Sequence, residues 1–550
     1  MALEAARVLI VDALARGSYG KRMVTVDAVG AGPRTVAGVL EMLGVHVDLA
    51  VPEVVFEEPN ILRDYNVLMV SAMSIDAPTV RRLVRLWRRR ARGPVLLGGP
   101  IALEEGSLTA TGSDLAVVGE AEPVIEKLFS EELVTPRGLD YQRLHSMCGV
   151  RFYEPGAGVV SRPRCPLMTR RMWERYRPST RVVKGYPLYW ASRIYVEVVR
   201  GCSNYTIPSL DTVPPELRPD KPRPGCAYCS VVTLWGYARS RSPDLVYQEV
   251  KALIDEGVTR IVLSGPDILD YGRDWLVEPR PLVDPRSPPP NVDALESLLS
   301  RLTSIPEVAA GEAGIMAENA KPNLVTEEAA ETLGRYLRGT PIHVGVETGD
   351  PRLLESFGRP ATLRETLQGV ERLVRHGLRV YAYIMYCLPG ETALSIEKTV
   401  KLIDKLYKMG VEKITAYKFM PLPGSALEKL ARMPPRRCED HPVKLAAAEA
   451  NRKAKRRLIG QRMNAIVAGV HPRYRRPLAY PIPHGPVLLL EDQGLELGEI
   501  VEARVTGVRG DRMVEAVVVK KLARAKAVKA APGPGGRLPA GRRARRPARG

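Results

Sequence analysis

The sequence predicts an α/β protein in three parts: an N-terminal doubly wound, Rossmann-like sheet, a central partial (β/α) barrel and a small C-terminal β-barrel of OB-like character. Three observations carry this. Apolar, β-branched segments alternate with amphipathic helical segments from Val8 to Glu120. The same alternation resumes at Trp190 and runs to about Leu430. From about Arg457, short strand-like segments follow one another between Gly and Pro turns without intervening helices. At 550 residues the chain has room for such an organisation, each part with its own core.

In the first part (1–134), Val8-Leu9-Ile10-Val11-Asp12 reads as a buried strand, 35–43 as an amphipathic helix, and 45–50 and 66–71 as further strands. An Arg-rich helix over 78–90 leads to strands at 94–100 and 115–120. The stretch 135–189 is broken by PRG, EPGAG, RPRCP and KGYP and reads as a linker with short elements. The central part (190–450) includes a helix over 242–257 and a strand over 259–265, and its active site is expected at the strand C-terminal ends, where the βα loops gather. The C-terminal β-barrel is expected over 457–521, with a basic, disordered tail over 522–550.

Charge and cysteine usage narrow the class. The net charge is +19, and the stretch from Lys520 to the end carries eleven Lys or Arg and no acidic residue, leaving +8 on the rest. By itself the tail fits a solvated end as well as an electrostatic arm for RNA. No signal peptide is visible and no apolar run approaches the ~18 residues of a membrane span. Seven cysteines at irregular spacing do not make a disulfide framework, so a reducing, cytoplasmic location is expected.

Three of those cysteines define the chemistry. Cys202 ends an apolar run in Val198-Val199-Arg200-Gly201-Cys202, and Cys226-Ala227-Tyr228-Cys229 follows a glycine. Short local spacings of this kind hold iron–sulfur clusters, and three thiolates leave one iron of a four-iron cluster open to another ligand. A structural zinc would ask for a fourth ligand. The nearest unused cysteines, Cys165 and Cys387, lie far off in sequence. Cys148, Cys165, Cys387 and Cys438 show no ligand spacing and read as buried small hydrophobes.

The cysteine motif, with its aromatic before the last Cys, resembles that of the radical S-adenosylmethionine (radical SAM) superfamily. Further blocks fall in that family's order. Ser264-Gly265-Pro266-Asp267 stands where a Gly-Gly-Glu turn holds the methionine amino group. The strand 343–349 (HVGVETG) resembles the one that contacts the ribose and carboxylate end of SAM, and 383–392 (YIMYCLPGET) resembles the turn closing a late barrel strand. Two departures stand out. Twenty-three residues, rich in Pro, separate Cys202 from Cys226 where three are usual, and Asp267 replaces the usual glutamate. Such an insert reads as a loop, and loop closure entropy grows only logarithmically with length. The resemblance implies a [4Fe-4S] cluster on Cys202, Cys226 and Cys229, with SAM on its unique iron. It further implies Tyr228 near the adenine, Gly265 and Asp267 near the methionine, and Glu347 near the ribose or methionine end. One-electron reduction of SAM by a reductase or ferredoxin would then give a 5′-deoxyadenosyl radical.

The flanking parts carry resemblances of their own. The turns Gly98-Gly99-Pro100 and Val118-Gly119-Glu120 resemble those of the cobalamin-binding-like domain that precedes many radical SAM cores. There a histidine can ligate cobalt in an Asp-x-His-x-x-Gly pattern; 12–17 here (DALARG) has Leu14 in that place. Either cobalamin binds without a protein ligand, near Ser71-Ala72-Met73 and Gly98-Gly99, or the fold has lost the cofactor. At the other end, Leu458-Ile459-Gly460 and Leu497-Gly498-Glu499-Ile500-Val501 resemble the TRAM domain of RNA-modifying enzymes. Arg473, Tyr474, Arg475, Arg476 and Tyr480 are candidates for its RNA-facing surface, since basic groups interleaved with aromatics bind single strands.

A radical SAM core followed by a TRAM domain resembles the tRNA methylthiotransferases. Those carry three additional N-terminal cysteines, and residues 1–147 have none. The expected activity is therefore a transferase reaction, methylation of an RNA, foremost tRNA, with neither DNA nor membrane as partner. The alternatives are modification of a protein or small metabolite, methylthiotransferase-like chemistry, and a non-enzymatic RNA-binding protein with a relic cluster.

Overall fold

The computed structural model describes residues 6–15, 27–432, 438–492, 494–510 and 512–529. The tail expected over 522–550 therefore lies largely outside the described residues. In the N-terminal part, β1 (Arg7–Asp12) pairs in parallel with β3 (His46–Ala50) and β4 (Val67–Ser71), followed by β5 (Val95–Gly98) and β6 (Leu115–Val117). Successive side chains of a strand point to opposite faces. Val8 and Ile10 accordingly join helices Gly32–Met42 and Ala121–Ser130 on one face, while Leu9 and Val11 join helix Ala77–Arg90 on the other. That last helix buries Thr79, Val80, Leu83, Val84 and Trp87, spaced by three and four, and turns its arginines outward.

The stretch read as a linker is in part a sheet edge. After a small hairpin of β7 (Val134–Thr135) and β8 (Gly138–Leu139), β9 (Val150–Glu154) pairs antiparallel with β6 and carries β10 (Gly158–Ser161) beyond it. Its Gly-rich turn masked two short strands, of which β9 gains a partner from the preceding domain and β10 pairs only with β9. The N-terminal part also lends β2 (Ala28–Val29) to the central sheet, beside β11 (Arg193–Glu197).

The central part is an open partial barrel of parallel strands. β11, β14 (Arg260–Ser264) and β15 (Gly314–Ala317) form one ladder. A two-residue continuation, β16 (Asn319–Ala320), starts the next, through β17 (Pro341–Glu347), β18 (Arg379–Tyr386) and the edge strand β19 (Lys413–Lys418). A short antiparallel pair, β12 (Val199–Arg200) with β13 (Arg239–Ser240), closes the base of the cysteine loop.

The C-terminal part is a closed barrel in the order β20 (Arg462–Val470), β21 (Pro477–Pro481), β22 (Val487–Leu490), β24 (Met513–Arg524), β23 (Glu499–Val508). It caps the N-terminal ends of the central strands. Arg193 and Arg260, opening β11 and β14, each reach the His484 ring at 3.3 Å, and Arg379, opening β18, donates to the His484 carbonyl at 2.8 Å. Asp27 pairs with Arg193 and Arg260 at 3.2 and 2.8 Å.

The four remaining cysteines are not isolated hydrophobes. Cys148 pairs with Cys165 and Cys387 with Cys438, their Cα atoms 4.9 and 6.5 Å apart. Separations of 17 and 51 residues conceal these pairs in the sequence, because the tertiary fold alone brings them together. Cys202, Cys226 and Cys229 stay free thiols. No helix among the described residues is long and apolar enough to cross a membrane.

Candidate active site

The site lies at the C-terminal ends of the central strands. After β12, Gly201 turns the chain at φ +80°, and a Cβ there would stand 2.1 Å from the Tyr237 carbonyl oxygen, so only glycine fits. Cys202 follows, its amide donating to the Gly236 carbonyl at 3.0 Å. Asn204 bridges the separated thiols: its amide reaches Cys202 Sγ at 3.4 Å and its Nδ2 reaches Cys226 Sγ at 3.3 Å. The insert closes at its neck through the Gly225 amide on the Thr206 carbonyl at 2.9 Å. It is packed, not free: Leu210 and Val213 are buried with Ala227, Phe357, Leu388 and Leu427. The Cys229 amide donates to the Cys226 carbonyl at 2.8 Å, and the Val231 amide points at Cys229 Sγ at 3.4 Å.

Burial pushes the Cys229 thiol up to about 12 and raises that of Cys202, and a bound cationic centre would lower both. Arg359 supplies positive charge beside Cys226, 3.8 Å from its sulfur, and sits 3.6 Å from Glu347. Glu347 itself has φ +67° at a register shift between β17 and β18, a conformation rare for a residue with a side chain. The Tyr228 ring packs edge-on against Phe357, centroids 6.3 Å apart. Among the described residues no trio of His, Cys, Asp or Glu is drawn tightly enough to close on one metal ion. A four-iron cluster asks for one thiolate per iron, a wider arrangement.

Two cavities meet beside this loop. The smaller, about 380 Å³, is lined by Arg200 and Gly201, by Ser264, Gly265 and Pro266, and by Glu318 and Asn319. Gly265 is required there, since a Cβ would meet Val199 Cβ at 2.9 Å. The larger, about 470 Å³, is strongly apolar and opens at the C-terminal ends of β1, β4, β5 and β6, where Leu14, Ser71 to Met73, Gly98 and Gly99 line it. Tyr195, Leu234 and Trp235 close it from the central part. Gly32, Val36, Ala121 and Trp235 line both cavities, so one thin wall separates them.

Three candidates, Asp267, Tyr480 and Arg476, sit differently from the sequence expectation. Asp267 does not line the cavity. It is fully buried, accepting from the Leu269 and Lys321 amides at 3.0 Å each, with Lys321 Nζ at 3.6 Å. Lys321 also holds Asp270 at 2.6 Å and the Ser203 hydroxyl at 2.9 Å, so this cluster braces the residue after Cys202. Tyr480 is half-buried and packs with Trp190 and Ile482 under Arg260, against the central part. On the barrel turn, Arg473 and Arg475 are exposed. Tyr474 lies between Arg473 and Arg509, whose guanidiniums are 5.6 and 5.3 Å from its ring. Arg476 instead folds back, donating to the Leu490 carbonyl at 2.9 Å and facing Glu515 at 3.4 Å.

Sequence reasoning missed Asn204, Arg359, Glu318 and Trp235. Asn204 is two residues from a ligand-type cysteine, which is signal enough to have found it. Arg359 comes from a loop over a hundred residues beyond, with no motif around it.

The fold and these blocks define an iron–sulfur enzyme class. The family model of the Radical SAM superfamily matches residues 223–403, beginning within the insert, so that Cys202 precedes it. An uncharacterized protein of Methanopyrus kandleri is 38% identical over 544 residues, covering 94% of this chain and 96% of that one. The tRNA-2-methylthio-N(6)-dimethylallyladenosine synthase of Moorella thermoacetica is 27% identical, over 44% of this chain and 46% of its own. Among solved structures, the radical S-adenosylmethionine methyltransferase TsrM from Kitasatospora setae, with cobalamin and a [4Fe-4S] cluster bound, matches at a TM-score of 0.54 and 15% identity, over 78% of this chain and 76% of that one. The chain belongs to the radical SAM superfamily, as an enzyme related to its methyltransferases and methylthiotransferases. A [4Fe-4S] cluster and SAM are the cofactors of that family.

Proposed function

We propose that this enzyme transfers a methyl group to an RNA, foremost tRNA, with the cluster and SAM in the smaller cavity and cobalamin in the larger. The observation that carries the reading is the thin shared wall of Gly32, Val36, Ala121 and Trp235 between the two cavities. A chamber at the C-terminal ends of a doubly wound sheet is where such domains take a cofactor. Its apolar lining suits the body of a large macrocycle. Leu14 in its wall offers no metal ligand at the place where the pattern has histidine.

Cys202, Cys226 and Cys229 would hold the cluster, with Asn204 and the Val231 amide orienting the sulfurs. Tyr228, Gly265 and Glu347 remain our assignments for SAM, Glu347 acting together with Arg359; Asp267 is withdrawn. Bound together, the cluster and SAM supply one-electron cleavage of a carbon–sulfur bond. The residues around them position the reactants and exclude water.

Methyl transfer is favoured over sulfur insertion by the cysteines. Residues 1–147 contain none, and the four outside the trio are paired in disulfides. The RNA reading rests on the C-terminal barrel, read as a TRAM domain, and on the exposed Arg473 and Arg475 beside the half-buried Tyr474, with Arg509 reaching the same ring from the loop after β23. The tRNA-modifying relative supports the same substrate class.

The test is anaerobic reconstitution with iron, sulfide and cobalamin, followed by SAM, dithionite and bulk cellular RNA. 5′-Deoxyadenosine and S-adenosylhomocysteine are followed by mass spectrometry. Both products rising with RNA support the proposal. 5′-Deoxyadenosine alone, indifferent to RNA, removes the methylation and RNA claims. Cys226→Ala is expected to lose bound iron and both products while RNA binding persists.

A further inference from the structure

Three carboxylates line the smaller cavity: Glu122, Glu197 and Glu318. The first two are ion-paired to Arg200, each at 2.7 Å, and that guanidinium is held over the Trp173 and Trp235 rings. Glu318 differs. Its carboxyl accepts from the Ser264 hydroxyl at 2.7 Å and from the Gly265 amide, and among the described residues no Lys, Arg or His forms an ion pair with it.

Its position is fixed from both sides. Glu318 stands between β15 and β16; its amide donates to the Leu263 carbonyl at 3.0 Å, and its carbonyl accepts from the amide and Nδ1 of His343 at 3.0 and 2.7 Å. His343 is in turn stacked on Tyr383, ring centroids 5.0 Å apart. The carboxyl is thus aimed at the chamber that Gly201, next to Cys202, closes on the other side. Burial raises its proton affinity, and the Ser264 and Gly265 hydrogen bonds and the more distant charge of Arg193 offset this only in part.

A carboxyl that faces a cavity with no ion-pair partner among the described residues is stabilised by donors that a ligand brings. Asp267, the acidic group expected for the methionine nitrogen, does not line the cavity: its Oδ1 accepts the Leu269 and Lys321 amides, and Lys321 Nζ stands 3.6 Å from its Oδ2. Glu318 is the acid that remains at the cavity. We propose that Glu318 accepts a hydrogen bond from an amino group bound in this cavity, either the α-amino group of SAM or an amino group of the substrate. This rests on the reading that the cavity takes SAM.

The test uses the reconstituted holoenzyme and its Glu318→Gln variant, with iron content and thermal midpoint as controls. Calorimetry measures the affinity for SAM and for a SAM analogue lacking the α-amino group. If the SAM amino group is the donor, Glu318→Gln weakens SAM at least about tenfold, and weakens the deamino analogue much less. If the substrate supplies the donor, SAM affinity stays within about twofold of wild type, and the RNA concentration giving half-maximal product formation rises at least about tenfold. Unchanged values in both arms overturn the assignment. Should Glu318→Gln fail to hold the cluster, Ser264→Ala, which removes the hydroxyl that aims the carboxyl, is read the same way. A wild-type holoenzyme that does not bind SAM overturns the functional reading and the assignment with it. A wild-type protein that binds SAM beside an indifferent variant overturns the assignment alone.

Discussion

Asp27 sits between Arg193 and Arg260 at the seam where the C-terminal barrel meets the central strands. Burial alone would raise its proton affinity, but the guanidiniums of Arg260 and Arg193 prevail and bring its carboxyl down from 3.8 to about 2. A carboxylate with a lowered value stabilises the fold fully above the ordinary value and loses that contribution as pH falls through the folded one. Between pH 4 and 2 the protein should therefore lose about 2 kcal/mol from this group, seen as a falling thermal midpoint. Asp27→Asn should flatten that acid slope. At neutral pH it should cost on the order of 3 kcal/mol, because two buried guanidiniums are left facing His484 without a counter-charge. An unaltered acid profile in Asp27→Asn would show that another carboxylate sets the acid limit. At this scale the nearness of Cys226 to Cys229 was legible from spacing, whereas the Asn204 side chain that links Cys226 to the loop of Cys202 was not. Asp267 was misplaced because a motif position gives no sign of the Lys321 that captures it from just beyond β16.

The disulfides act on two straps that flank the cysteine loop. Cys165 anchors the stretch in which Arg164 donates to the Thr233 carbonyl at 2.6 Å and the Met168 amide donates to Glu120 at 2.6 Å. Cys438 lies beyond Leu427, whose amide reaches the Ala227 carbonyl, between Cys226 and Tyr228, at 3.2 Å. For loops of 17 and 51 residues, the unfolded-chain entropy removed corresponds to about 3 and about 4 kcal/mol. Cys148→Ser with Cys165→Ser, and separately Cys387→Ser with Cys438→Ser, should each lower the thermal midpoint by several degrees in scanning calorimetry while iron content stays at the wild-type level. Loss of iron in either pair would mean that these sulfurs serve the cluster. The alternating strands and helices were readable because each buries a face with its own period. β9 was not, because a short strand beside a Gly-rich turn gains its identity from β6, not from its own residues. β2 escaped for the same reason: two residues pair across more than 160 positions with β11.

In the whole molecule the N-terminal part joins the central sheet at its edge through β2, and the C-terminal barrel meets the central strands at their N-terminal ends. Replacing Arg473, Arg475 and Arg509 together by Ala should weaken RNA binding and reduce the salt dependence of log K by about 0.7 for each phosphate no longer neutralised. An unchanged slope would place the RNA elsewhere. The three-part architecture was legible from segment order alone, whereas the meeting of the two cavities was not, since their shared wall draws on Gly32, Val36, Ala121 and Trp235 from separate regions. The barrel touches the strand N-terminal ends through Ile482 and His484, and its Arg473 turn lies at the far end of β21 from that seam. The cysteines stand at the opposite ends of the same strands. A seven-residue strand such as β17 measures about 23 Å, the rise of about seven nucleotides of a stacked strand. Under the proposed function the molecule is thus a caliper with its grip and its chemistry on separate jaws. A lone nucleoside can touch one jaw, and only a substrate large and folded enough to span both is gauged before a single base is read.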